Sequence, residues 1–126
     1  MVVLALEVEN GVDQMLEHAR SREGALLGDV AHQERREPAA DLAIVVAAAS
    51  SYMERPLPAD VVVLGEVGLT GEVRAVAGLE SRLRAAAQLG FRSAVVPKSS
   101  AAEAGAAPLK VRGVATVTEA VEALLP

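Results

Sequence analysis

The sequence predicts an α/β fold of the α+β kind: a mixed sheet with packed helices, built as a hairpin plus two βαβ units. Three observations carry this. Short apolar runs rich in β-branched residues recur at 61–64, 93–96 and 111–117, the length and composition of buried strands. Between them lie stretches of helical spacing, with Leu79, Leu83 and Ala86 on one face. Gly65, Gly68, Gly71 and Gly90 punctuate the junctions.

Taken in order, residues 2–8 have the composition of a strand, and Glu9-Asn10-Gly11 is a turn signal. Val12, Met15, Leu16 and Ala19 share a helical face, with Asp13, Glu17, His18 and Arg20 outside it. Residues 21–24 break that pattern, and residues 32–37 read as a charged loop or exposed strand end. Pro38 suits the first position of a helix, where a missing N–H costs nothing. Leu42, Val45, Val46, Ala49 and Met53 form the main stripe of this helix. Nearly every residue from 42 to 49 is apolar, which predicts a central helix buried on several sides. Pro56 and Pro58 follow and impose an extended linker.

After the strand at 61–64, Thr70-Gly71 reads as a tight turn. Residues 72–76 then alternate charged and apolar, predicting a half-exposed strand that returns against 61–64. The next helix carries Leu79, Leu83 and Ala86 inward and Arg82, Arg84 and Gln88 on the other side, and Gly90 stops it at C′. Pro97 ends the strand at 93–96. Residues 99–107 predict a short helix capped by Ser99 or Ser100, with Glu103 exposed. Gly113 interrupts the strand at 111–117, and Thr118 is the expected N-cap of a closing helix with Glu119 in its first turn. Both crossovers are expected to be right-handed.

A chain of 126 residues predicts one domain, 1–126, able to bury roughly two-thirds of its unfolded surface. The apolar content is mostly Ala and Val, with one Tyr, one Phe and no Trp, so close helix–sheet approach must compensate for small side chains. Without cysteine there is no disulfide, thiolate nucleophile or Cys-based zinc site, which suits a cytoplasmic protein. A net charge of −5 is the wrong sign for a generic nucleic-acid binder. Against that background Arg74, Arg82, Arg84 and Arg92 are either a local basic patch or the solvated faces of a hairpin and helix. No apolar run reaches the ~18–20 residues of a membrane span, and the N-terminus lacks a basic region of secretory type.

Residues 65–98, GEVGLTGEVRAVAGLESRLRAAAQLGFRSAVVPK, resemble the C-terminal Lon-protease-like domain of the bacterial RadA (Sms) DNA-repair family. EPAADLAIVVAAASSYMERPLPAD extends the likeness upstream to Glu37; it is reasonable over 108–125 and poor over 1–36. An Asn-Val-Ala-Gly-Gly-like turn usual in the family is absent from the first third, which is expected to be truncated, divergent or altered. A missing strand there would leave a sheet edge open to another chain.

The resemblance implies a Lon proteolytic-domain-like fold and poses the question of chemistry. Lon enzymes use a Ser–Lys dyad in which a desolvated amine activates the hydroxyl. The Pro-Ser-Ala-Gly turn that carries the serine matches Pro38-Ala39-Ala40-Asp41, and the lysine after a Gly-Leu turn matches Glu80 after Gly78-Leu79. Both dyad positions are lost, as is general among RadA relatives, so no catalytic residue is expected. Lys98, Lys110, Ser50, Ser51, Ser81, His18 and His32 offer no replacement at usable spacing. GEVGLTGEV lacks the Lys-Ser/Thr of a P-loop, and Glu66, Glu72 and Glu80 suit a solvent-facing hairpin better than a hard-cation site.

The family pattern places a zinc finger and a RecA-like ATPase ahead of this domain, so Zn, Mg and ATP are expected only there; this chain has none of those motifs and reads as a fragment or stand-alone relative. What the resemblance implies for this domain is a homo-oligomeric, hexameric platform in recombination that contacts DNA, with residual Ser–Lys peptidase activity as the alternative.

Overall fold

Three short strands far apart in sequence lie side by side and run the same way. The computed structural model describes residues 38–105 and 107–126. A 3-10 turn at Pro38–Ala40 leads into helix α1 (Asp41–Met53), followed by β1 (Val61–Val63), β2 (Glu66–Val67) and β3 (Val73–Arg74). Helix α2 (Leu79–Gln88), β4 (Ser93–Pro97), a 3-10 segment at Lys98–Ala104, β5 (Lys110–Val114) and helix α3 (Val117–Leu124) complete the order. The readings made for residues 1–37, namely the strand at 2–8, the helix around 12–19 and the charged loop, lie outside the described residues.

The parallel sheet has the order β1-β4-β5, with Val61 opposite Ser93 and Val95 opposite Arg112. β1 and β4, covered on both faces, read as unbroken apolar runs, whereas β5 at the sheet edge exposes Lys110 and Arg112. Val61, Val63, Val95 and Val114 pack with Leu42, Val46, Ala120 and Leu124 of α1 and α3. Val62, Leu64, Ala94 and Val96 point the other way, onto Leu79, Leu83 and Ala86 of α2. The result is three layers with two apolar cores, one on each side of the sheet.

The hairpin differs from the expectation. β3 is only Val73–Arg74, and it pairs antiparallel with Glu66–Val67 rather than with 61–64. The reason is competition: the Leu64 N–H donates to Val95 O at 3.0 Å, so the end of β1 belongs to β4. Val73 N–H donates to Ala115 O at 2.8 Å, and Glu72 bridges Thr116. β3 thus fills the slot beyond the end of β4, between the continuations of β1 and β5, and makes the layer mixed at that end.

Three further local readings are corrected. The burial of α1 stops short: Leu42, Ala43, Val46 and Ala47 are buried, but Met53, the last residue of the expected stripe, is 39% exposed, and Tyr52 beside it is 90% exposed. Neither Ser99 nor Ser100 caps the 98–104 segment, since it starts at Lys98 directly after Pro97 and both serines fall inside it. The cap of α3 is Thr116 and not Thr118: β5 ends at Val114, the helix starts at Val117, and Thr116 Oγ1 accepts from Glu119 N–H at 3.1 Å. Gly90 does end α2 with φ at 93°.

Candidate functional site

The turn Pro38-Ala39-Ala40-Asp41 is locked to the end of β1. Gly65 N–H donates to Ala39 O at 3.0 Å, and Leu42 N–H donates to Gly65 O at 2.9 Å. Val67 N–H reaches Asp41 Oδ2 at 3.4 Å, so the first carboxylate of α1 also ties down the hairpin. Asp41 is buried, and sequence reading missed this role. Its signal was an acidic residue in the first turn of a helix otherwise apolar. Within this frame Ala39 is 2% exposed and its methyl belongs to the core that holds Leu79 and Leu83.

Leu79 is fully buried at the start of α2, and its neighbour Glu80 turns outward. Glu80 Oε1 accepts from Arg84 Nη2 at 2.6 Å, one helical turn on, with 53% of the Glu80 side chain exposed. Position 39 therefore faces the core and position 80 faces water.

The four arginines do not form one patch. Arg74 is exposed but donates to Glu72 Oε1 at 2.8 Å, and Arg84 is committed to Glu80. Arg92 is exposed at the opposite end of the sheet from Arg74, just before β4, its N–H bonded to Asp60 O. Arg82 is a correction: read as solvent-facing, it is 7% exposed, and its Nε donates to Ala77 O at 2.9 Å. It braces the loop that enters α2.

The replacement nucleophiles and bases also stay apart. Ser50 Oγ donates to Arg55 O at the end of α1, Ser81 is exposed on α2, and Lys98 and Lys110 are exposed on either side of the second crossover. Among the described residues no group of three Asp, Glu or His side chains is placed to hold a metal ion. No helix among them is long and apolar enough to cross a membrane.

The hairpin turn is stiffened by one carboxylate. Glu72 Oε2 accepts from Thr70 N–H at 3.0 Å and from the Thr70 hydroxyl, while Oε1 takes the Arg74 guanidinium. The Thr70 hydroxyl first, then Glu72's own backbone N–H and Arg74, hold its carboxyl at about 2, well below the usual range. Since the folded value is the lower one, this bracing is complete above the ordinary Glu range and is lost as pH falls through about 2. A carbon-detected NMR titration of Glu72 is expected to show that low midpoint, and Thr70→Val to return it toward the ordinary range.

The structure also reveals a basin of about 320 Å³ that sequence reading did not anticipate. It lies at the N-terminal ends of the parallel strands, floored by Val61, Val95 and Leu124 and rimmed by Asp60, Lys110 and Arg112. Lys110 and Arg112 are two apart on β5 and so share a face. The β4–β5 register sets Lys110 beside Ser93 and Arg112 beside Val95, so that face is the side of the sheet that packs on α1 and α3.

Comparison with known proteins places this geometry. The family of Lon protease (S16) C-terminal proteolytic domains matches residues 28–124. The DNA repair protein RadA of Pseudomonas aeruginosa is 46% identical over 88 residues, covering 70% of this chain and 19% of that protein. RadA of Aquifex aeolicus is 44% identical over 89 residues, 71% of this chain and 20% of its own length. RadA of Escherichia coli is 43% identical over 84 residues, 67% and 18% respectively. The chain thus spans about a fifth of the length of the curated relatives it matches.

Proposed function

We propose a scaffold role without proteolytic chemistry for this chain, which belongs to the Lon protease (S16) C-terminal proteolytic domain family and matches the form of that domain found in RadA. In this reading it is the assembly platform of a cytoplasmic RadA-type repair and recombination ATPase, building a homo-oligomeric, hexameric ring. The supporting observation is the environment of Ala39: a buried methyl, on a residue whose carbonyl accepts from Gly65 N–H just beyond β1, stands where the family's nucleophile is expected. A methyl group cannot attack a carbonyl.

Assembly is tested by size-exclusion chromatography with light scattering at tens of micromolar. A multimer is expected; a strict monomer overturns the platform reading. Peptide turnover is expected to be undetectable, and Ala39→Ser with Glu80→Lys is expected not to create it. A lysine at 80 would stand in water as Glu80 does, keep its ordinary basicity and arrive at neutral pH already protonated. Turnover by the natural chain would instead favour the peptidase alternative.

DNA contact by the exposed Arg74, Arg84 and Arg92 is part of the same proposal. Phosphate contacts make affinity fall steeply with salt. Binding at low salt that is weakened by Arg84→Glu plus Arg92→Glu is expected; binding indifferent to both overturns this part.

A further inference from the structure

Leu69 stands fully exposed at the tip of the β2–β3 turn. A single exposed leucine on a loose loop means little. This one is mounted on a turn fixed by the Thr70–Glu72–Arg74 bonds, by Gly68 N–H to Glu72 O at 2.9 Å and by Gly71 N–H to Gly68 O at 3.1 Å. It is a presented knob, with Glu66 opposite Arg74 on the strands behind it and Glu72 just before β3.

The basin lies at the other end of the sheet, roughly 16 Å away along the five residues of β4 alone. Its apolar floor has room for a leucine side chain, and Lys110 and Arg112 on its rim have no carboxylate partner among the described residues. The apolar knob is backed by Glu66, Glu72 and Arg74, net negative, and the apolar basin is rimmed by Asp60, Lys110 and Arg112, net positive, so the two match in shape and in the sign of their charge.

We propose that Leu69 of one copy seats in the basin of a second copy, head to tail, with Glu66 facing Lys110 and Arg112 across the contact. Because the two halves lie at opposite ends of the domain, the contact is heterologous: each copy keeps one free knob and one free basin, and addition continues until a ring closes. This rests on the assembly reading and names the surface through which it works.

The test uses Leu69→Asp and Arg112→Glu in the full chain, with thermal melts confirming that both exposed substitutions leave folding intact. Each variant alone is expected to lose about 30-fold or more in self-association, the scale of burying one leucine. Mixed, they are expected to form dimers and stop there, because the intact basin of one accepts the intact Leu69 of the other. As the chain has no cysteine, Leu69→Cys mixed with Ala123→Cys gives a second readout, expected to form a disulfide-linked pair faster than either variant alone. Natural-chain multimers that persist in both variants overturn this contact and leave the platform reading standing, the basin then having another occupant. A mixture that yields no dimer overturns it equally, and a natural chain that stays monomeric overturns both.

Discussion

Leu83→Ala is expected to remove about 3 kcal/mol of stability, seen as a lowered urea midpoint with an unchanged slope. Leu83 is fully buried between α2 and the sheet, beside Leu79, Ala86, Val62 and Val96. Its neighbours are mostly short or β-branched, so they cannot lean in to refill the space, and the cavity term adds to the lost transfer energy. Nor is there an aromatic in reserve: Tyr52 is in solvent and Phe91 only borders this core. In a core of Ala and Val the few leucines carry the volume. A domain of this size has about 5–15 kcal/mol in total, so the loss is a large fraction. Arg84→Ala on the same helix is the matched control. It breaks only the exposed Glu80–Arg84 pair, worth about 0.5 kcal/mol or less. Equal effects from the two variants would mean that α2 is held by its surface charges and not by its apolar face.

What the sequence made legible follows from the same physics. β1, β4 and α2 were readable because full burial leaves a continuous apolar run or a clean helical stripe. The hairpin register was not, since whether Leu64 pairs with β4 or within the hairpin is decided by a strand 30 residues away. Arg82 was misplaced by its chemistry: it lies about 60° round the helix from Leu79, inside the buried arc, and the wheel argues against the solvent side that its charge suggested. Met53 was misplaced the other way, because an apolar helix does not announce where its burial ends. As for the site, the letters show Ala39 and Glu80 at the two positions where the resemblance implies a serine and a lysine. The basin they do not show, for Lys110 and Arg112 acquire an apolar floor only once α3 folds back over β1 and β4.

Gly65→Val is expected to cost about 3 kcal/mol, at the upper end of what overpacking costs, and Gly65→Ala somewhat less. A Cβ at this position would lie 2.9 Å from Val73 Cγ1, 3.1 Å from Leu42 Cδ2 and 3.2 Å from Leu42 Cβ. The leucine tip can swing aside, but its Cβ moves only with the backbone of α1, and Val73 has little χ1 freedom. Retreat of Gly65 itself is blocked by its bond to Ala39 O in the 38–41 turn at 3.0 Å and by the bond from Leu42 N–H of α1 at 2.9 Å. The strain must therefore pass into the turn, into β3, or into both. Hydrogen exchange should localise it: the amides of Leu42, Gly65 and Val73 are expected to lose protection while those of β5 keep theirs. Leu42→Ala in the same chain should relieve part of the clash, giving a favourable coupling of about 1 kcal/mol in a double-mutant cycle. Additive costs would show that α1 and the hairpin yield independently. The junction binds the 38–41 turn and the start of α1 to the hairpin that presents Leu69. Strain entered at Gly65 is thus expected to weaken assembly as well as stability, whereas Leu83→Ala, on the far side of the sheet, should weaken assembly only as far as it unfolds the chain.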